Sequence, residues 1–322
     1  MKAVVVNGYG PPEEFVVADV PMPRPGPGQM QVRIAAAAIN PTDIALPSGV
    51  YHEQAPLAFP HVPGNDFAGT VTEVGPGVTA FQVGDEIFGQ AVPRVLRAMA
   101  SPTRPSLSTG SLAEYAVFEA DTPMIAHRPP SVPPEEAAAL PTVGLTALAL
   151  MGVAPLKPDE TVLVVGASGG VGTAVIPLIA AAGARVIATG TAADADILRD
   201  LGAHEIIGYD EAGYPSGVDV AFNLTLPGDR LTGLTRALRS GGRLFTIVYP
   251  PPSQEQIGRD DVESRFVLDL DGTYGGMREV GEFAADGRLR AVISRRYTLD
   301  QGAQACVDFV REHTRGKLVV SM

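Results

Sequence analysis

A continuous apolar run, Thr161-Val162-Leu163-Val164-Val165, leads without a break into Gly166-Ala167-Ser168-Gly169-Gly170-Val171-Gly172. This junction limits the fold more than any other part of the chain. An unbroken apolar strand is buried on both faces, as in a parallel sheet. Glycines at 166, 169 and 172, with an extra one at 170, meet three needs. They allow a positive φ in a tight turn, let backbone approach a ligand closely, and let the next helix pack tightly on its strand. The start of that helix offers N–H groups without intrahelical partners and a partial positive charge. The junction therefore predicts a dinucleotide site made of Gly166, Ala167, Ser168, Gly169, Gly170, Val171 and Gly172, with a ligand-free tight turn as the plainer alternative. Pro177, inside the helix, is expected to kink it or remove one backbone bond.

Around the junction the middle third alternates strands and helices. Strands are predicted at Arg185–Ala188, Ile206–Ile207, Val218–Phe222 and Arg243–Val248, with an amphipathic helix over Ala192–Leu201 capped by Gly202. This order implies a parallel sheet with right-handed crossovers. The first third reads instead as strands and turns: Lys2–Val6, Gln31–Ile34, Asp66–Val74, and a strand within Gly84–Gly89. Residues 91–108, with Arg94, Arg97 and Arg104 and no clear period, read as a long loop with at most one helical turn. Towards the end, helices are expected over Met277–Ala285 and Gln301–His313, and strands over Arg290–Arg296 and Lys317–Val320.

Composition narrows the classes. The 322 residues suggest about two domains, and 45 % hydrophobic with 19 % charged residues is a globular composition. A net charge of −12, from 36 acidic and 24 basic residues, repels phosphate backbones, so no nucleic-acid partner is expected. The single cysteine, Cys306, excludes an intrachain disulfide and any cysteine-rich zinc site, and is expected in the core. The apolar start, Met1–Gly8, is too short for a secretory signal. Residues 137–156 carry no charge, but Pro141, Gly144, Gly152 and Pro155 interrupt them, so a buried helix is expected rather than a membrane span. A soluble, cytoplasmic protein is the expectation.

The nucleotide's identity turns on the end of the second strand. NAD sites place an acid there for the ribose 2′-hydroxyl. This chain has Ala188-Thr189-Gly190-Thr191, with no acid and with room for a 2′-phosphate, so NADPH is favoured over NADH. Thr189, Gly190 and Thr191 join the cofactor candidates. Asp194 and Asp196 follow and are expected to face water from the helix.

Further motifs appear in order: Ala38-Ile39-Asn40-Pro41-Thr42-Asp43, Ser48-Gly49-Val50-Tyr51, Pro63-Gly64-Asn65-Asp66-Phe67-Ala68-Gly69, Val74-Gly75-Pro76-Gly77-Val78, Val83-Gly84-Asp85-Glu86 and Gly316-Lys317-Leu318-Val319-Val320. With the turn at 166, this set resembles the medium-chain dehydrogenase/reductase superfamily, and within it the zinc-independent quinone oxidoreductases. The resemblance covers almost the whole chain. It implies an α/β fold: a Rossmann doubly wound parallel sheet over 126–268, and a GroES-like β-rich catalytic domain from 1–125 and 269–322. It also implies a cofactor in the cleft between the two, and a homodimer.

In zinc members of the superfamily a cysteine stands at the position of Asn40 and a His-Glu pair at that of Asn65-Asp66. An amide is a poor zinc ligand, so no metal is expected. Hydride transfer then relies on positioning, hydrogen bonds and an electrophilic acceptor, which suits quinones and enones. The resemblance further places Asn40 beside the nicotinamide, either to orient the ring or polarise the acceptor carbonyl, or merely as a loop cap. It makes Tyr51 a cleft-lining hydrogen-bond donor to the developing oxyanion, with packing alone as the plainer alternative. Asp43 is read as a brace of the loop. Thr146, Tyr209, Ile247 and Lys317 are cofactor contacts by the same resemblance, Lys317 equally well a solvated strand-end lysine. Departures stand at Ala45 and Pro47, where relatives often carry tyrosine and arginine, and at Asp194, where a phosphate-gripping lysine is missing. The five histidines show no metal spacing, and only His52, beside Tyr51, draws notice.

The implied activity is hydride transfer from NADPH to a quinone or similar conjugated small molecule. The alternatives are an enoyl or enone reductase of a biosynthetic pathway and a non-catalytic, crystallin-like NADPH-binding protein.

Overall fold

The run Thr161–Val165 is the third strand of a six-stranded parallel sheet. In the computed structural model, which describes Met1–Met322, the sheet's spatial order is Glu205–Ile207, Arg185–Thr189, Thr161–Val165, Val218–Asn223, Leu238–Thr246, Glu263–Phe266. Every neighbouring pair is parallel. The chain winds outward to one edge, returns to the centre and winds to the other, which is the doubly wound order of the Rossmann fold. Leu163, Val165, Ile187, Ala221 and Leu244 fill one side of it with Leu231 and Leu234. Helix Gly170–Ala181 continues through Pro177, which removes one backbone donor without ending the helix. The edge strand Glu263–Phe266 was not legible in the sequence: Glu-Ser-Arg-Phe lacks an apolar run because half of it faces solvent.

Besides a two-stranded ribbon of Lys2–Val5 with Val16–Asp19, a second large sheet has nine strands and is mostly antiparallel. Its centre is Gln29–Ala38, paired with Asp66–Val74 on one side and with Tyr115–Glu119 on the other. The end of Gln29–Ala38 also pairs with the last strand, Lys317–Ser321, in the register Val319↔Ala38. Phe67 and Phe118 stack with ring centroids 3.9 Å apart in a core shared with Met30, Ile34, Leu318 and Cys306. Residues 91–108 are more ordered than a loop. Val92–Pro93 and Leu107–Ser108 pair in parallel, Arg94–Met99 forms a 3-10 turn, and Arg94 pairs with Glu119 at 3.4 Å.

Two compact units result. Unit 1 is Met1–Leu145, Leu270–Gly287 and Ala291–Met322; unit 2 is Thr146–Asp269 with Arg288–Arg290. The chain leaves unit 1 inside helix Pro141–Val153, past the boundary near 125 read from sequence. The reason is helix Pro134–Ala139, whose alanines are buried against Gln29–Ala38 and Asp66–Val74. No helix is long and apolar enough to cross a membrane.

Candidate functional site

In unit 2 the turn after Thr161–Val165 has the geometry its glycines predict. Gly166 has φ +89°, a left-handed conformation that disfavours a side chain. A Cβ on Gly172 would lie 2.3 Å from the carbonyl oxygen of Ala167, so only glycine lets the helix pack this closely on the turn. Gly169 is the N-cap, and the N–H groups of Gly170, Val171 and Gly172 form the first turn of the helix, where no intrahelical acceptor exists. Tyr209 brings its hydroxyl within 3.2 Å of Ser168 Oγ, although its side chain is largely exposed. Backbone donors, a helix start and two hydroxyls thus converge in one place. That set fits a dinucleotide's pyrophosphate and adenosine phosphate.

The end of the second strand differs from expectation. Thr189 is buried and its Oγ1 accepts the Gly166 N–H at 3.0 Å, so it braces the turn from behind rather than facing a ligand. Asp194 does not face water. It is fully buried, and its Oδ2 accepts from Thr191 N–H (2.8 Å) and Thr191 Oγ1 (2.7 Å). The Thr-x-x-Asp spacing of a capping box was the signal for this. Asp196 is the acid that points outward. Gly190 packs against Leu198 and Asp194, where a Cβ would come 2.8 Å from Leu198 Cδ1. Ile247 lies one residue past strand Leu238–Thr246, with its N–H donating to Asn223 O at 3.2 Å. Thr146 is half-buried in helix Pro141–Val153.

In unit 1, strands Lys317–Ser321, Gln29–Ala38 and Asp66–Val74 lie side by side and bring Lys317, Asn40 and Asp66 together. Lys317 is only 4 % exposed. Its ammonium donates to Ile39 O (2.7 Å) and Asn40 Oδ1 (2.6 Å) and lies 3.7 Å from Asp66 Oδ2. The reading of Lys317 as a solvated strand-end lysine is therefore corrected: its ammonium is buried and bonded within unit 1. Asp66 is wholly buried and accepts from Thr142 Oγ1 (2.6 Å) and Thr142 N–H (3.2 Å). Burial pushes Asp66 up and Lys317 down, while each charge pulls the other back toward its ordinary range.

Asn40 is 2 % exposed. Its amide nitrogen donates to Ala38 O at 3.3 Å and also favours the Asp66 carboxylate. The amide expected to address the nicotinamide, or else to cap the loop, is bonded inside unit 1 to Ala38 O and the Lys317 ammonium. Asp43 braces the same loop, its Oδ2 accepting the Asn40 N–H at 2.8 Å. Burial raises the Asp43 carboxyl to about 7, against the pull of the Asn40 N–H and of Lys317. Oδ1 of Asp43 and Oδ1 of Asn65 are buried without a hydrogen-bond partner. Sequence reasoning did not foresee Asp66, Thr142 or the burial of Lys317, because nothing local shows that 317 lies beside 40.

Tyr51 sits in the run of turns after helix Pro41–Ala45, half-buried, its carbonyl accepting Ala55 N–H at 2.8 Å. His52 is held locally, Nδ1 to Gly49 O at 2.8 Å. Cys306 is core, and burial pushes its thiol up. No three His, Cys, Asp or Glu side chains gather as a metal site would need.

With this geometry in hand, comparison with known proteins is specific. The family described as alcohol dehydrogenase GroES-like domain matches residues 26–129, and that described as zinc-binding dehydrogenase matches residues 201–320. The chain is 32 % identical to a quinone oxidoreductase of Sus scrofa, over 98 % of this chain and 95 % of that protein. It is also 32 % identical to the spectinabilin polyketide synthase system protein NorB of Streptomyces orinoci, over 99 % of this chain but only 14 % of that much longer protein. A mycobacterial protein solved in complex with NADPH superposes with a TM-score of 0.84 at 26 % identity, covering 100 % of both chains. A GroES-like β-unit and a Rossmann unit with a glycine-rich turn define a nicotinamide-dependent oxidoreductase. The chain belongs to the medium-chain dehydrogenase/reductase superfamily, on its quinone oxidoreductase branch.

Proposed function

We propose that this protein is a metal-independent reductase that passes hydride from NADPH to a quinone or a related conjugated acceptor. The observation that carries the cofactor half is Asp194. Turned inward onto Thr191, it is not available to bond a ribose 2′-hydroxyl or repel a 2′-phosphate, and the outward Asp196 lies farther on, in the helix and beside Arg199. The NADPH-bound neighbour and the quinone oxidoreductase relative support the same reading.

When bound, the reduced nicotinamide supplies the hydride. The N–H groups at the start of helix Gly170–Ala181 hold the pyrophosphate, and Ser168 and Tyr209 offer hydroxyls to the adenosine phosphate. Ala167 and Gly169 shape the turn. Gly190 and Thr191 line the adenosine side, and Ile247 and Thr146 contact the cofactor through apolar and hydroxyl groups. Tyr51 donates its O–H to the acceptor oxygen as charge develops there, and the proton follows from Tyr51 or water. The cluster of Asn40, Asp66 and Lys317 supplies a fixed wall rather than a Lewis acid. The working protein is a cytoplasmic homodimer, which a solution mass measurement tests.

Fluorescence titration tests the cofactor: NADPH is expected to bind about ten-fold more tightly than NADH, about 1.4 kcal/mol. Equal affinities overturn the 2′-phosphate reading. Initial rates with a quinone panel and an enone panel test the acceptor. The polyketide synthase relative favours the second reading, an enoyl or enone reductase, which predicts faster turnover of the enones. Tight NADPH binding with no turnover of either panel supports a crystallin-like binding protein.

A further inference from the structure

We propose that Lys317 is a positioning residue for Tyr51: its buried ammonium locks the loop that leaves strand Gln29–Ala38 and so fixes the run of turns that carries the tyrosine. An ammonium only donates, so the Asn40 atom 2.6 Å from Lys317 Nζ must be the amide oxygen. The orientation of the amide is thereby set, with its nitrogen toward Ala38 O. The same ammonium holds the carbonyl of Ile39 at 2.7 Å, while the Ile39 N–H donates to Leu318 O at 3.0 Å. Two consecutive residues of the loop are thus tied to the last strand by backbone and by side chain.

The tie is itself fixed from behind. Thr142 donates through its hydroxyl and its N–H to Asp66, and Asp66 faces the ammonium. In front, the Asn40 N–H donates to Asp43 Oδ2 and starts helix Pro41–Ala45. From there hydrogen-bonded turns follow without a gap: Leu46 N–H to Thr42 O, Ser48 N–H to Ile44 O, Gly49 N–H to Leu46 O, His52 N–H to Gly49 O. Tyr51 lies on the last of these turns. A change at Lys317 therefore reaches Tyr51 through contiguous bonded structure, though the two residues lie far apart in sequence. This inference rests on Tyr51 being the group that serves the acceptor.

Two variants separate positioning from mere charge balance. Lys317→Met leaves Asp66 buried without its counter-charge and is expected to fold poorly. The double variant Lys317→Met/Asp66→Asn removes both charges and is expected to recover most of the lost melting temperature. In the double variant kcat with a quinone should remain about ten-fold below the parent, with the Kd for NADPH changed by less than three-fold. Amide hydrogen exchange over residues 39–55 should accelerate about ten-fold, with strand Thr161–Val165 unchanged. A double variant with parental kcat and parental exchange over 39–55 overturns the proposal. Exchange is read without any substrate, so the lock is tested even if the parent protein turns over no acceptor; that second result bears on the proposed activity alone.

Discussion

In unit 1 the charged groups of the candidate site are buried and face one another, whereas unit 2 offers backbone N–H groups and two hydroxyls with no charged side chain among them. The contrast follows from what each has to do. A pyrophosphate brings its own charge, so a helix start and a bare backbone suffice to receive it. A buried charge must instead be met by the protein itself, and the Lys317 ammonium has fixed acceptors and a nearby carboxylate, at the cost of desolvation. Residues that look chemically active in a sequence can therefore be structural supports, and the least conspicuous residues, glycines, can be the binding surface.

Breaking the unit 1 arrangement should have the largest effect. Asp66→Ala leaves the Lys317 ammonium buried and unpaired and is expected to destabilise by about 3–5 kcal/mol, measured by urea unfolding. Asp43 comes next, with a distinct pH signature. Its folded-state carboxyl is raised from 3.8 to about 7, so the folded protein binds the proton more tightly than the unfolded chain. Stability from this group is complete below pH 3.8 and falls as pH rises, until the change levels off above about pH 7. Asp43→Asn keeps an acceptor for the Asn40 N–H and should remove that fall. At pH 8 it should exceed the parent in stability by up to about 4 kcal/mol; equal pH profiles for the two proteins would refute the burial cause.

Unit 2 sharpens the contrast through backbone. Gly172→Val drives a side chain into the Ala167 carbonyl and is expected to weaken NADPH binding about a hundred-fold and lower stability by about 1–3 kcal/mol. Tyr51→Phe should lower kcat about ten-fold while leaving the NADPH Kd near the parental value; unchanged kinetics would remove Tyr51 from the proton path. The smallest effect belongs to Tyr209→Phe, with NADPH affinity reduced about three-fold in titration and NADH affinity unchanged.

Much of unit 2 was legible because its signals are local. Thr161–Val165 announces itself by burial on both faces, and Gly166 and Gly172 mark positions where a side chain has no room. Helix Met277–Ala285, although part of unit 1, was readable for the same reason, an amphipathic period within one helix. Even Asp194 carried a local signal in Thr191-Ala192-Ala193-Asp194, outweighed in the sequence reading by the amphipathic pattern of the helix. Unit 1 was less legible because its decisive contacts are remote. Lys317 and Asn40 are separated by 277 positions, and Thr142 and Asp66 by 76. No spacing rule connects such pairs: the first comes from the antiparallel pairing of Lys317–Ser321 with Gln29–Ala38, the second from the packing of helix Pro134–Ala139 on Asp66–Val74 just before Thr142.

That pairing has a consequence for biosynthesis. Unit 2 is almost wholly one uninterrupted stretch, Thr146–Asp269, and can mature as it leaves the ribosome. The strand beside Ala36–Ala38 is translated only after the whole of unit 2. Until it arrives, Asp66 lacks the Lys317 ammonium and the Asn40 loop lacks its tie, so the nascent β-unit waits for a strand made after unit 2 before it can close.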